Sequence, residues 1–480
     1  MNSWDIVSQV RRRTREEEGA LHSRAPFRIA LCYPSRYSVG MSSLGFQTIY
    51  REIHSHPGAA AERAFLPDTP GDYRRQRMPV FTYENETPLS DFPVVAFSIS
   101  YELEITGLLE ILDLSGIPLL RSDRNRNHPL ILVGGPLTNS NPLPLAPFVD
   151  VVILGEAEEL IHTFLDAAAS SDRDELLSRL SCLSGCFVPG RTPGLPPIAK
   201  AGDEKLPARS QIITRNTVLS SMFLIEPERG CSRGCTYCVM RRTTNGGMRL
   251  VPPESIRALV PAHARRVGLV GAAVTDHPRI AEVVRGVVES GREVGISSLR
   301  ADRLDEELVD LLCRGGYRTL TTAADGTSQR VRDTVRRGTR ERHLIRAAEL
   351  VRKYGMERLK LYEMIGLPGE TGEDMAELVR FSLELARIAP LSLAISPFVA
   401  KRNTPLDRAA FEPVASLEKK LAGLRAGVKD KVEIRPVSAR WAWVEYRLSQ
   451  GGEAEGLAAL AAWRAGGSFG AWKKALAGNR

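Results

Sequence analysis

Histidine is scarce in this chain, eight in 480 residues, and none stands near the cysteines that crowd its middle. No run of about 18 apolar residues occurs, so no membrane-spanning helix is expected. The opening Met1-Asn-Ser-Trp-Asp5 lacks the basic-then-apolar pattern of a secretory leader, and a cytoplasmic protein is expected. Cysteine is few and odd in number, seven, which argues against a disulfide framework and for thiol or metal chemistry in a reducing compartment. The two-pair cysteine spacing of structural zinc sites is missing. Charge is nearly balanced: a net +8 from scattered arginines permits a nucleic-acid partner without indicating one. Apolar content of 43% and charged content of 25% are those of an ordinary folded protein. A chain this long exceeds one core, so two or three domains are expected.

What the chain does have is Glu228-Arg-Gly-Cys231-Ser-Arg-Gly-Cys235-Thr-Tyr-Cys238. Three thiolates within eight residues form a soft ligand set suited to zinc, copper or an iron–sulfur cluster. With no local histidine, a metal held there is one protein ligand short, which suggests an open coordination site. Gly230 and Gly234 let the backbone wrap closely. A zinc site completed from elsewhere, or plain buried thiols, is the competing reading.

Around this stretch the pattern alternates. Short apolar runs at Ile29–Tyr33, Val94–Ser98, Leu130–Val133 and Val151–Leu154 read as buried strands, and Leu44–Ile53 and Glu102–Leu114 as amphipathic helices. This predicts an α/β fold whose N-terminal domain is an open parallel, Rossmann-like sheet with ligands at the carboxyl ends of its strands. A second series, Val218–Ile225, Val267–Val270, Glu293–Ser298, Tyr317–Thr322, Leu359–Ile365 and Leu391–Ser396, gives six strand–helix repeats, a partial (β/α)6 barrel. Its chemistry is expected on the carboxyl-end face. The resulting division is a charged helical lead-in (1–27), an α/β domain (28–180), a Pro/Gly-rich linker (181–217), a partial barrel (218–411) and a helical C-terminal extension (412–480). The charged run Arg11–Glu18 reads as a solvated face. Trp441, Trp443, Trp463 and Trp472 in the tail suggest a cap packed on the barrel.

The three-then-two cysteine spacing resembles the CxxxCxxC of the radical S-adenosylmethionine (SAM) superfamily, and Met364-Ile-Gly-Leu-Pro-Gly-Glu-Thr371 is similar to its GLPGET loop. The resemblance implies that Cys231, Cys235 and Cys238 hold three irons of a 4Fe-4S cluster while SAM chelates the fourth. It implies further SAM contacts from Tyr237, Gly271, Ser298, Arg300, Asp325, Ile365 and Gly366. Gly271 stands where the family often has GGE, although the acidic residue is missing, and Asp325 stands where a carboxylate would hold the ribose.

Gly134-Gly-Pro136, Asp150 and Gly155-Glu-Ala-Glu158 resemble the cobalamin-binding-like domain that precedes many such barrels. Gly134, Gly135, Gly155 and Glu156 would then face cobalamin. The Asp-x-His-x-x-Gly loop of cobalamin binders is absent, with Ser35–Gly40 in its place, so bound cobalamin remains an open expectation.

The activity implied is reductive cleavage of SAM to a 5′-deoxyadenosyl radical that modifies an unidentified substrate, with an external electron donor as partner. Three readings follow: a radical SAM enzyme, with a cobalamin-dependent methylase among its forms; a methylthiotransferase acting on RNA or protein; and a non-catalytic cluster-binding protein. The methylthiotransferase needs a second cluster on Cys32, Cys182 and Cys186, which read instead as ordinary thiols. No five-strand RNA-binding pattern of the TRAM type follows the barrel.

Overall fold

The computed structural model describes residues 1–240, 247–297 and 299–478. The chain forms two compact units, one of residues 1–223 with 451–480 and one of residues 224–450.

The first unit is built on a six-stranded sheet: β1 Phe27–Tyr33, β2 Ala59–Phe65, β3 Val94–Ser98, β4 Leu130–Gly134, β5 Val151–Ile153 and β6 Cys186–Phe187. Spatial order is β2-β1-β3-β4-β5-β6, parallel throughout except for the antiparallel β5–β6 edge. The order reverses between β1 and β3, which places a topological switch point at their carboxyl ends. Four strands coincide with the predicted apolar runs. β2 was not predicted because its middle carries Glu62 and Arg63, both buried.

Those charges are tolerated because each is paired. Arg63 reaches Glu84 at 2.6 Å and Glu17 at 2.7 Å, while Glu62 accepts from Arg28, Thr82 and Asn85 at 2.6–2.9 Å. The Glu17 side chain is itself fully buried, so the charged lead-in is not wholly the solvated face expected of it. Its helix, Ser3–Arg15, is closed by an Asn2/Asp5 capping box and lays Ile6 and Val10 against Tyr73 and Phe81.

The second unit strings parallel strands around an open arc. They are β7 Met222–Ile225, β10 Arg266–Leu269, β11 Glu293–Ile296, β12 Thr319–Ala323, β13 Arg358–Ile365, β14 Leu391–Pro397 and β15 Glu433–Pro436, while β8 Glu228–Gly230 and β9 Met248–Leu250 form an antiparallel hairpin. The sheets β11-β10-β7 and β12-β13-β14-β15 are joined by a bridge between Leu299 and Thr322, reinforced by Thr322 Oγ1 donating to the Leu299 carbonyl at 2.7 Å. The six predicted strands are all present, the first shortened because Val218 is exposed. β15 adds a seventh from inside the tail. It escaped notice because its burial alternates between exposed charges, Glu433 and Arg435, and half-buried Ile434 and Pro436.

On β13 the alternation is clean: Leu359, Leu361, Glu363 and Ile365 are buried, while Lys360, Tyr362 and Met364 are not. Ala323 on β12 and Ala394 on β14 pair with Tyr362, so small side chains flank Tyr362 on the open side of the arc.

After β15 the tail divides. Helices Val414–Val428 and Ala439–Gln450 belong to the barrel unit, whereas Glu453–Arg464 and Phe469–Ala477 belong to the N-terminal unit. Trp463 donates to Glu110 at 2.9 Å, Asn141 donates to the Gly451 carbonyl at 2.8 Å, and Trp472 is 1% exposed. The last two helices therefore cap the N-terminal unit, not the barrel. Among the described residues no helix is long and apolar enough to cross a membrane.

Candidate metal centre at the carboxyl ends of the barrel strands

β8 ends at Gly230 (φ +96°) and β9 begins at Met248, so the hairpin delivers the chain into the cysteine loop. The Cys231 amide donates to the Gly247 carbonyl at 3.1 Å. The turn around Thr236 is held from two sides: its amide donates to Val335 O at 3.1 Å, and its carbonyl accepts from the Leu406 amide at 3.2 Å. Cys235 is buried, Cys231 and Cys238 half-buried, and all three are free thiols. Burial pushes the Cys231 and Cys238 thiols up from their ordinary range, so loading them with metal releases protons.

Among the described residues no three His, Cys, Asp or Glu side chains converge on a single ion. A tetrahedral zinc site binds its thiolates to one ion, whereas a multi-iron cluster gives each thiolate its own iron.

The loop is clamped by ion pairs. Arg233, between the first two cysteines, donates to both oxygens of Asp276 at 2.7 and 2.6 Å and to Asp302 at 3.0 Å, and the Asp276 bond leads in holding its pKa above the usual arginine value. Arg300, 5% exposed, bonds Asp302 at 3.1 Å and the Arg337 carbonyl at 3.1 Å. Asp302 serves this clamp; the following helix is capped by Asp305 instead. Such a bidentate, largely desolvated pair is worth more than a surface bridge.

A second set of contacts grips the other half of the loop. Tyr237 donates to Asp325 Oδ2 at 2.7 Å, and Arg337 approaches the same oxygen at 3.0 Å. Arg337 also donates to the Ala323 carbonyl at 3.2 Å. Burial, with Asp325 adding to it, holds the Tyr237 phenol far above its ordinary pKa. Asp325 sits at φ +56°, a conformation Asp tolerates better than most residues. Resemblance to the family's motifs gave Tyr237 and Asp325 but not Arg337, which lies about a hundred residues beyond the cysteines; only the fold joins them.

Gly271, after β10, exchanges hydrogen bonds with Ser297 Oγ at 3.1 and 3.2 Å. A Cβ at Gly271 would overlap the Glu228 carboxylate, which also accepts the Ala273 amide at 2.8 Å. A carboxylate from β8 therefore lies against this loop, whose own sequence has none in that place. Burial pushes the Glu228 carboxyl up to about 7. Ser298 lies outside the described residues.

At the end of β13, Gly366 (φ +80°) packs against Leu417 and donates to Glu370 at 2.9 Å. Glu370, fully buried, also accepts Lys420 at 2.7 Å and Thr327 at 3.1 Å. The Ile365 side chain is fully buried, so a ring lying on the open face would meet the backbone here and the side chain of Met364. Every described candidate for cluster or SAM contact therefore sits at the carboxyl end of a barrel strand or in the cysteine loop.

The N-terminal candidates have different surroundings. Gly135 (φ +104°) has the Ile99 backbone where a side chain would go, at 2.6 Å, and Ile99 bonds both Gly134 O and the Leu137 amide. Gly155 is pressed likewise against Ala199, whose chain bonds Leu154 and Glu156, while Glu156 accepts the Ala201 amide at 2.8 Å. Asp150 accepts the Ile131 amide and pairs with Arg173 and Arg124. These residues brace their own loops and the 198–201 segment, with no imidazole among them.

Cys32 on β1 and Cys186 on β6 are four interstrand steps apart, roughly 19 Å, and burial raises both thiols, Cys186 to about 11. They cannot share a cluster.

Comparison with known proteins agrees with the barrel assignment. Residues 225–382 match the family described as "Radical SAM superfamily" and residues 45–189 match "Radical SAM proteins, N-terminal". The chain is 25% identical over 416 residues to an uncharacterised protein of Methanocaldococcus jannaschii, MJ0966, covering 84% of this chain and 83% of that one. It is 26% identical over 240 residues to the ribosomal protein uS12 methylthiotransferase RimO of Desulfosudis oleivorans, spanning 49% of that protein. In structure it is similar to the cobalamin-dependent SAM radical enzyme OxsB with aqua-cobalamin and SAM bound (TM-score 0.52, 13% identity). That match covers 84% of this chain but 56% of the OxsB chain.

Proposed function

This chain belongs to the radical SAM superfamily and is an enzyme, and from that premise we propose that Cys231, Cys235 and Cys238 carry a 4Fe-4S cluster whose fourth iron receives SAM. The observation that carries the proposal is the cysteine loop itself, three free thiols gathered in eight residues and clamped at the carboxyl ends of the barrel strands.

When bound, cluster and SAM supply one chemistry: reduction by one electron and homolysis to a 5′-deoxyadenosyl radical able to abstract hydrogen from an unactivated carbon. The chain's own residues orient and shield. Backbone at Gly271 and at Ile365–Gly366 would allow close approach of the cofactor, and Asp325, whose Tyr237 and Arg337 contacts both fall on Oδ2, would hold a ribose hydroxyl with its other oxygen. Arg300 acts through the clamp and not as a direct ligand. The open side of the arc around Tyr362, 45% exposed, is where substrate enters. The electron comes from an external donor, and the free thiols favour a reducing, cytoplasmic setting.

Nothing in this reading is routed through cobalamin. The methylthiotransferase reading has the RimO similarity in its favour but lacks a second cysteine group. Anaerobically reconstituted protein is expected to hold about four irons per chain and to release 5′-deoxyadenosine from SAM under reduction. Cys235→Ala should lose both, and Cys182→Ala and Cys186→Ala neither. About eight irons, half of them lost with Cys186→Ala, would instead support the methylthiotransferase.

A further inference from the structure

Strands β12, β13 and β14 bury one face, with Leu320, Leu359, Leu361, Leu393 and Ile395 in the core. The register sets out the opposite, open face in rows. Thr321, Lys360, Ser392 and Glu433 align across β12–β15, and one step nearer the carboxyl ends come Ala323, Tyr362, Ala394 and Arg435. Tyr362, 45% exposed, is thus flanked by an alanine on each neighbouring strand.

This face has more cations than anions. Arg358, Lys360 and Arg435 share it with one carboxylate, Glu433, which is occupied by Arg358 at 2.5 Å and by Arg435 at 2.7 Å. Among the described residues no carboxylate pairs with Lys360; its ammonium instead lies 4.9 Å from the centre of the Tyr362 ring. An aromatic face holds a cation in place while leaving its N–H donors available. Beside Lys360 in register, Ser392 is 2% exposed and its Oγ makes no hydrogen bond, although buried hydroxyls are normally bonded. A surplus of positive charge, a lysine with donors to spare and an orphan hydroxyl on one level of the sheet together suit an anion.

We infer that this level of the open arc is a subsite for the acidic end of the substrate, in which Lys360, between the hydroxyl-bearing Thr321 and Ser392, takes a carboxylate or a phosphate while the carbon body lies along Tyr362. Lys360 stands four residues before Met364 on β13, roughly 13 Å of extended strand. The substrate class is therefore an organic anion long enough to reach from Lys360 to the strand ends. This rests on the reading of those strand ends as the cofactor site.

The test is competitive labelling of lysines in the full chain with a limiting amount of an amine-acetylating reagent, the extent at each lysine being read by peptide mass spectrometry. The probes are inorganic phosphate and hexanoate, each compared with chloride at matched ionic strength. Labelling of Lys360 is expected to fall by about tenfold at a probe concentration about ten times its Kd. Lys353, 52% exposed and paired with Glu306, should be labelled equally in all three salts. Protection by phosphate alone or by hexanoate alone identifies which acid the subsite takes. Ser392→Ala removes one hydrogen bond and should weaken protection by about fivefold, and Tyr362→Ala, which frees the ammonium, by about threefold. Lys360 labelling that neither anion lowers relative to chloride overturns the inference, as does protection that is unchanged in both variants; should the variants fail to fold, the wild-type comparison decides alone. Iron uptake and SAM cleavage are measured on the same preparation. Full cluster and cleavage without protection of Lys360 overturns this inference only, whereas protection of Lys360 in a chain that takes up no iron supports the anion subsite and contradicts the cluster assignment.

Discussion

Two glycines with positive φ show how packing adds to the cost of a side chain. Gly135 holds φ +104° with the Ile99 carbonyl 2.6 Å from where a Cβ would be, while Gly116 holds φ +67° with open space around it. Substitution by alanine strains the backbone at both sites, but only at 135 must packed main chain also move. Gly135→Ala should cost about 2–3 kcal/mol and Gly116→Ala about 1, compared by urea denaturation. Equal losses would mean that the loops after β3 and β4 are not in contact. At this scale the sequence was informative where chemistry is local. Cys231, Cys235, Cys238 and Tyr237 lie within one turn of chain, so spacing sufficed. Asp325 came from resemblance to a strand-end turn. Arg337, Glu228's grip on Ala273 and the Arg233–Asp276 clamp depend on which loops the barrel brings together, and no short pattern encodes that.

Among the elements, the strands that could be read were those buried on both faces, such as Val94–Ser98 and Leu130–Gly134, because they form continuous apolar runs. β2 was hidden by Glu62 and Arg63, whose partners come from distant loops, and the β8–β9 hairpin by its shortness. That hairpin makes a testable contribution to stability. Glu228 sits within it, and burial raises its carboxyl to about 7 from an ordinary 4.5. A raised folded-state pKa means the folded state holds the proton more tightly. The associated stability is fully present below about pH 4.5 and is lost as pH rises through about 7. Shifts of this size are worth roughly 3 kcal/mol. Urea denaturation of the apoprotein at pH 5 and pH 8 should show Glu228→Gln less sensitive to this change than wild type. Parallel behaviour of the two proteins would place the Glu228 carboxylate in water instead.

At the scale of the whole molecule, the division into two units follows contacts more than sequence order, since the last two helices return to the N-terminal unit through Trp463, Trp472 and Gly456, which rests on the Pro144 carbonyl. The N-terminal sheet kept the ligand-binding topology of its class, with a switch point between β1 and β3, while its glycine loops are filled by residues 99 and 198–201. The candidates for cluster and SAM contacts lie in the barrel unit, at four strand ends and in the cysteine loop. The central claim is that one iron is left for SAM. It is tested most directly by recording the EPR spectrum of the reduced, reconstituted protein before and after adding SAM. The account predicts a 4Fe-4S signal whose g-values change as SAM binds; a signal indifferent to SAM, or a protein that holds zinc and takes up no iron, would contradict it.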